Sequence, residues 1–385
     1  MTMRLLFVKD SMSWPRSSGH DVHTFHMMRA LTRFGHECGL LTATEPKPEA
    51  IDGLPLIYRR TFGTVVGGPE PDMTWLQRKF AGYWGRDAAR TRAVSQAAID
   101  MSADAVVVVG LPVLPYLGAV KDRKRVWYAA DEWFWHHWSQ VRLLRPKTWG
   151  ELKQACIKGL YERAFRSKID RAWLVTDADR RAMRWVAGVK GLDVVPNGVD
   201  GEHFTPLDLP QGERTCTFWG RLDFGPNTQA LEWFTAKVWP AVRREFPDAR
   251  FTVYGFAPTP AVLALSGKDG VEVIADLPDL REEVARHQAV VLPFVSGGGI
   301  KNKFLEAAAM GKAIVCSPVA CNGLVRPEES GAKIVSRPAD WVAAISAMWS
   351  DAGARRTSGD RSRAWVTERH TWDEAARAAA AGLMK

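Results

Sequence analysis

Between Val290 and Ser317 the chain reads VVLPFVSGGGIKNKFLEAAAMGKAIVCS. The pattern predicts a buried strand over Ala289–Pro293, a run of three glycines (Gly297, Gly298, Gly299) and a helix over Lys303–Met310. Glycines let a backbone approach a ligand closely, and a fresh helix start offers free N–H groups and a positive dipole end. Together they bind anions. Lys301 and Lys303 place two cations at that helix start, and Glu306 follows Lys303 by one turn. The same residues also describe a tight strand-to-helix turn with a solvated Lys–Glu pair, and the glycine run alone does not separate the two readings.

A second group of candidates lies in the first half. Gly19 and His20 follow the strand Arg4–Lys9 (RLLFVK), and Asp131 ends the segment YAAD after a strand over Arg125–Ala129. Loops at the carboxyl ends of strands are where open α/β sheets meet their ligands. Asp131 suits hydroxyl binding or proton transfer, and serves equally well as a cap for the next helix. His136 and His137 follow at once, inside a cluster formed by Trp127, Trp133, Phe134, Trp135, Trp138 and Trp149. Such tryptophans suit an interface with one apolar and one wet side. Val141 to Arg171 carries nine basic and three acidic residues, two-thirds of the net charge of +9. A basic face attracts phosphates, nucleic acid or anionic lipid, and a plain solvated helix surface has the same composition.

The elements that must position these groups alternate. Further strands are predicted at Glu37–Thr42, Ala105–Val109, Arg171–Val175 and Asp193–Val195, with helices over Gly19–Phe34, Trp149–Phe165 and Asp177–Val186. After the Pro-rich stretch Pro206–Glu213 the alternation restarts: strand Thr215–Trp219, helix Thr228–Glu245, then strands Arg250–Tyr254, Val271–Ile274 and Ala313–Cys316, and helices from Pro338 onward. This pattern predicts an α/β chain with parallel sheets in two halves. A length of 385 residues fits two domains, and 46% hydrophobic with 25% charged residues excludes disorder. The longest apolar run, Ala105–Val120, is broken by glycines and prolines and falls short of a membrane span. Five scattered cysteines in no metal-ligand spacing predict a reduced, cytoplasmic protein without a structural metal.

Taken in order, these segments resemble the glycosyltransferase family 4-like proteins of the GT-B fold. SGHDVHTFHMMRAL (18–31) is similar to the family's first loop and helix, and VPNGVD (195–200) to the segment before its second domain. WGRLDFGP (219–226) is similar to its phosphate loop, FPDARFTVYG (246–255) to its next strand, and DLPDL (276–280) to its loop near the nucleobase. The resemblance implies two Rossmann-like domains facing a cleft, with an acceptor-binding domain over 1–205 and a nucleotide-sugar-binding domain over 206–367. A C-terminal helix over 368–385 would pack back on the first domain. The implied activity is retaining transfer of a sugar from a UDP- or GDP-linked donor to a hydroxyl acceptor, without a metal or other cofactor. Arg221 would clamp the diphosphate; Gly19, Gly220, Gly298, Gly299, Ile300, Lys301, Lys303 and Glu306 would complete the donor site, with Glu306 on the ribose. Asp131, Arg221 and Lys303 are the expected catalytic groups, and His20, Asp131, His136 and His137 the acceptor side.

Two positions depart from the family pattern. Gly298 stands eight residues before Glu306, where the family has a glutamate, and Asn227 stands six after Arg221, where it has a lysine. Lys303 is the expected substitute cation. The rival readings are a same-fold sugar-nucleotide epimerase and a catalytically silent nucleotide-sugar-binding protein. The Trp-rich basic segment adds the expectation of an amphiphilic or lipid-linked acceptor and peripheral attachment to an anionic inner membrane face. Nucleic acid is not an expected partner, being suggested only by a pI near 9.4.

Overall fold

A computed structural model describes the chain except residues 1, 15–18, 64–72, 84–87, 131, 142–148, 278 and 385. The chain forms two compact units, one from Met1–Pro196 with Trp372–Lys385, the other from Asn197–Thr371. The breaks differ from the expected 205/206 and 367/368. Asn197 and Val199 already belong to the second unit, where the Asn197 amide donates to Asn302 Oδ1 (2.7 Å) and Val199 N donates to the His370 carbonyl (2.8 Å).

The first unit holds a seven-stranded, all-parallel sheet of β1 (Arg4–Lys9), β2 (Glu37–Thr42), β3 (Leu56–Thr61), β4 (Ala105–Val109), β5 (Lys124–Ala130), β6 (Arg171–Leu174) and β7 (Leu192–Val194), in the order 3-2-1-4-5-6-7. Its central strands are buried on both faces, which is why β4 can be AVVVV without polar alternation. Helix Gly19–Arg33 follows β1 and packs against the C-terminal helix Trp372–Leu383. Trp372 stacks on His26 at 5.2 Å and meets the edge of His23 at 5.5 Å. Trp127 lies wholly inside this core, so the expectation of an interfacial role does not extend to it: β5 is enclosed on both faces.

The second unit holds a six-stranded parallel sheet of β8 (Thr215–Arg221), β9 (Arg250–Phe256), β10 (Val271–Ala275), β11 (Ala289–Leu292), β12 (Ile314–Cys316) and β13 (Lys333–Ile334), in the order 10-9-8-11-12-13. In both sheets the order reverses beside the first strand, between β1 and β4 and between β8 and β11. Such switch points open crevices at strand carboxyl ends. The helix expected over Thr228–Glu245 is two helices, Gly225–Lys237 and Trp239–Glu245, because Pro240 cannot continue the first and starts the second.

In the first unit, Lys9 at the carboxyl end of β1 donates to Asp21 Oδ1 (2.5 Å) and to the Ser11 carbonyl (2.5 Å), while the Ser13 hydroxyl donates to the other Asp21 oxygen. Both charges are nearly enclosed, so removing one leaves the other stranded. Asp21→Ala should therefore lower stability in denaturant unfolding by about 3–5 kcal/mol. A loss under about 1 kcal/mol would instead mark the pair as a solvated one.

Candidate functional site

In the second unit the groups converge at the carboxyl ends of β8 and β11. β8 ends in Trp219, Gly220 and Arg221, and β11 runs through Phe294 and the glycine turn into helix Asn302–Ala309. The turn stands against Pro226 at the start of helix Gly225–Lys237, and Ser296 donates to Gln229 Oε1 (2.9 Å) in that helix. Neither helix start has a side-chain cap. The Asn227 and Phe304 N–H groups instead bond the carbonyls of Phe224 (2.9 Å) and Lys301 (2.8 Å).

Lys303 is the centre of this arrangement. Its Nζ lies 5.6 Å from the Phe218 ring and 5.8 Å from the Phe294 ring. Its stem passes directly over Gly220, where a Cβ would come within 2.6 Å of Nζ and collide with Cε. Gly220 also has φ +141°, which other residues rarely adopt, so only glycine admits the lysine here. Burial lowers the Lys303 ammonium to about 8, with Glu306 opposing the shift. Glu306 accepts from Trp219 Nε1 at 2.8 Å. Burial raises its carboxyl, while the Trp219 hydrogen bond and then Lys303 pull it down. This is not a solvated surface pair.

Other expected donor residues take different places. Arg221 is exposed and makes a bidentate contact with Asp223 (2.6 and 2.9 Å). Lys301 turns back onto the glycine loop, donating to the carbonyls of Gly297 (3.0 Å), Gly298 (2.5 Å) and Gly299 (3.3 Å). It ties the loop rather than standing free beside the helix start. Ile300 is buried, and Asn227 donates to the Arg221 carbonyl at 2.6 Å. A pocket of about 400 Å³ lined by Glu328, Arg361 and Arg369 is remote from this chemistry, since Glu328 precedes β13 and so lies toward its amino end.

In the first unit, His20 opens helix Gly19–Arg33, and Gly19 beside it is exposed. Gly110, with φ +86°, follows β4, and a Cβ there would come within 3.4 Å of His20 Nδ1. The His20 ring meets Trp133 edge-on at 5.9 Å, and Trp133 is 5.6 Å from His136 and 6.3 Å from His137. His137 Nδ1 is 2.7 Å from Glu151 Oε2. The structure thus gathers His20, His136 and His137 around one indole. Asp131 lies outside the described residues.

Residues 213–351 match the profile of the family described as Glycosyl transferases group 1. Over these residues the chain carries a Glycosyl transferases group 1 domain. No curated protein sequence matches it significantly. The fold is shared with solved structures at low identity: sucrose-phosphate synthase from Thermosynechococcus elongatus (16% identity, TM-score 0.71, covering 98% of each chain) and TarM (10%, 0.72, 100% of this chain and 99% of that one). Anabaena HepE in complex with UDP and glucose is similar as well (14%, 0.68, 100% of each). These likenesses agree with the GT-B architecture of two Rossmann-like domains.

At this site, sequence reasoning missed Trp219 as the partner of Glu306, Phe218 and Phe294 as the walls beside Lys303, and Asn197 as the residue that grips Asn302. Trp219 and Asn197 both stood within recognised motifs, but side-chain contacts between distant segments leave no spacing to read. Trp219→Phe keeps the ring and removes the donor to Glu306. In urea unfolding at neutral pH it should cost about 1–3 kcal/mol. The loss should shrink on acidification, because a protonated Glu306 depends less on the indole N–H. A pH-independent loss would assign Trp219 to packing alone.

Proposed function

We propose that this glycosyltransferase moves a sugar, with retention of anomeric configuration, from a nucleoside diphosphate to a hydroxyl acceptor. The observation that carries the donor reading is Lys303: an ammonium walled by two phenyl rings, held beside an uncapped helix start and made less basic by burial. A diphosphate would supply the charge that this lysine lacks. Arg221 would exchange Asp223 for the distal phosphate, and Glu306, braced by Trp219, would accept from the ribose hydroxyls. Lys303, Arg221 and the backbone at Gly298 and Gly299 would then neutralise the leaving diphosphate without a metal. Anabaena HepE, of the same fold, is described with UDP and glucose, which favours a UDP-linked donor here.

Binding should therefore require the protonated lysine. The UDP dissociation constant should rise as pH passes about 8, approaching tenfold per pH unit, because UDP must then bring a proton with it. Lys303→Met should bind UDP weakly and without that dependence, uridine affinity should be unchanged in the variant, and EDTA should leave all curves in place. Isothermal titration decides it. Equal losses for UDP and uridine, or a dependence on added magnesium, would sink the assignment.

The acceptor reading rests on the first unit. Helices Trp133–Trp138, Trp149–Phe165 and Asp177–Val186 pack together there. They expose Trp135, Trp138, Trp149, Leu160 and Trp185, the last at 83%. Lys153, Arg163, Arg181 and Arg184 are exposed on the same helices. Among the described residues no helix is long and apolar enough to cross a membrane. Exposed indoles with basic neighbours suit an anionic headgroup layer, and hence an amphiphilic acceptor met at the inner membrane face. Trp185→Ala with Arg181→Ala and Arg184→Ala should reduce co-sedimentation with anionic liposomes, and high salt should mimic the charge losses. Binding indifferent to lipid charge and salt would remove the membrane reading while leaving the donor reading intact.

A further inference from the structure

Glu132 caps the start of helix Trp133–Trp138, and Glu162 lies in the last turn of helix Trp149–Phe165. Both are fully buried. Glu132 Oε2 accepts from Trp135 N at 2.5 Å, and Glu162 Oε1 accepts from Trp133 N at 3.2 Å. Their other oxygens, Glu132 Oε1 and Glu162 Oε2, are enclosed with no donor. The two carboxyls are themselves within hydrogen-bond reach of each other. Two ionised carboxylates so placed would repel and leave two buried acceptors unsatisfied. One proton turns one of them into a donor and satisfies both.

We propose that Glu132 and Glu162 share one proton, and that this acid–carboxylate pair is the positioning device for the acceptor-side rings His20, His136 and His137, acting through Trp133. The helix it starts has only six residues, none of them fully buried. Its start depends on this pair even though its later residues pack on helix Trp149–Phe165, where His137 Nδ1 lies 2.7 Å from Glu151 Oε2. The pair holds the N–H groups of Trp133 and Trp135, and the Glu132 N–H donates to Asp179 Oδ1 (3.3 Å) on a third helix. Trp133, fixed by its backbone, carries its contacts to all three histidines.

Among the described residues, the charged groups that face the pair are Lys158 on Glu162's own helix and Asp179 on helix Asp177–Val186. Burial raises both carboxyls, Glu162 further because of Glu132, with Lys158 opposing. The folded pair thus holds its proton to higher pH than the unfolded chain does. Its stabilisation is present in acid and is lost as pH rises through the raised value.

The shared proton stands apart from the proposed function; the term acceptor rests on it. Infrared spectra of the whole protein at neutral pH should show a protonated-carboxyl carbonyl band that Glu162→Gln removes. Hydrogen exchange over residues 132–138, corrected for intrinsic rates, should quicken in alkaline buffer for the wild type. It should stay flat in Glu162→Gln, whose amide donates without titrating, and be fast throughout in Glu162→Ala. With a long-chain alkyl glucoside, and with UDP-glucose kept saturating so that the Lys303 dependence of donor binding drops out, UDP release by Glu162→Gln should keep the neutral rate and fall less in alkali than the wild type. Glu162→Ala should raise KM for the glucoside roughly tenfold, or 1.4 kcal/mol, and leave KM for UDP-glucose alone. An unchanged band with pH-independent exchange overturns the shared proton, and equal movement of both KM values overturns the positioning role. No turnover by the wild type counts against the glycosyl-transfer reading, while the band and exchange still decide the pair. Should Glu162→Ala fail to fold, the near-isosteric Glu162→Gln and Glu132→Gln carry the test.

Discussion

A cation that is kept from water must be held by something, and at Lys303 that something is shape more than charge. Its nearest carboxylate, Glu306, is engaged by Trp219, and the ammonium instead faces two phenyl rings above a glycine. Rings of this kind attract a cation without neutralising it. The charge therefore stays available to an anion, at a basicity burial has already reduced. The surrounding contacts serve that state. Lys301 locks the glycine loop, Ser317 donates to the Phe294 carbonyl (2.6 Å), and Asn197 grips the first residue of the helix that carries Lys303.

The first unit solves the opposite problem. There two carboxyls, Glu132 and Glu162, are buried together, and Lys158 acts on Glu162. Burying a lone charge is costlier than burying a shared proton, so protonation rather than ion pairing relieves the strain. Lys9 and Asp21 show the other solution in the same unit, a paired charge at the end of β1. Each device anchors a segment that follows a strand carboxyl end, where the chain leaves the sheet and loses its ladder of hydrogen bonds.

Much of this was legible in the residues. β1 and β2 were found with their observed bounds because both are nearly all apolar and lie in the sheet interior. β3 was not, since LIYRRT is largely exposed and its polar residues look like a loop. Gly220, Lys303 and Glu306 were singled out and do stand together. Their burial was not legible, for a lysine beside a glutamate one turn apart looks the same on a surface as in a slot. The tryptophan cluster was one group in sequence and two in space. Trp127 belongs to a strand closed on both faces, while Trp135 and Trp138 project from a helix with no buried residue. Neighbourhood along the chain does not report which side of a sheet a residue ends on.

The two departures from the family pattern become one in three dimensions. Asn227 stands where the family has a lysine, and its Nδ2 is 3.2 Å from the point above Gly220 that lies 2.6 Å from Lys303 Nζ. The two side chains thus border the same small space. A lysine at 227 would bring a second ammonium against the first in a region already poor in water, where like charges repel most strongly. Asparagine avoids this and finds a different use, closing the end of β8 through the Arg221 carbonyl. On the family resemblance, Lys303 on the helix that follows β11 would stand in for the lysine expected on the helix that follows β8. With Gly298 in place of the glutamate, the glycine loop also carries no carboxylate there to oppose an incoming phosphate. Gly220 is what lets the Lys303 stem and the Asn227 amide share that space, since a Cβ there would collide with Lys303 Cε and come within 3.2 Å of Asn227 Nδ2.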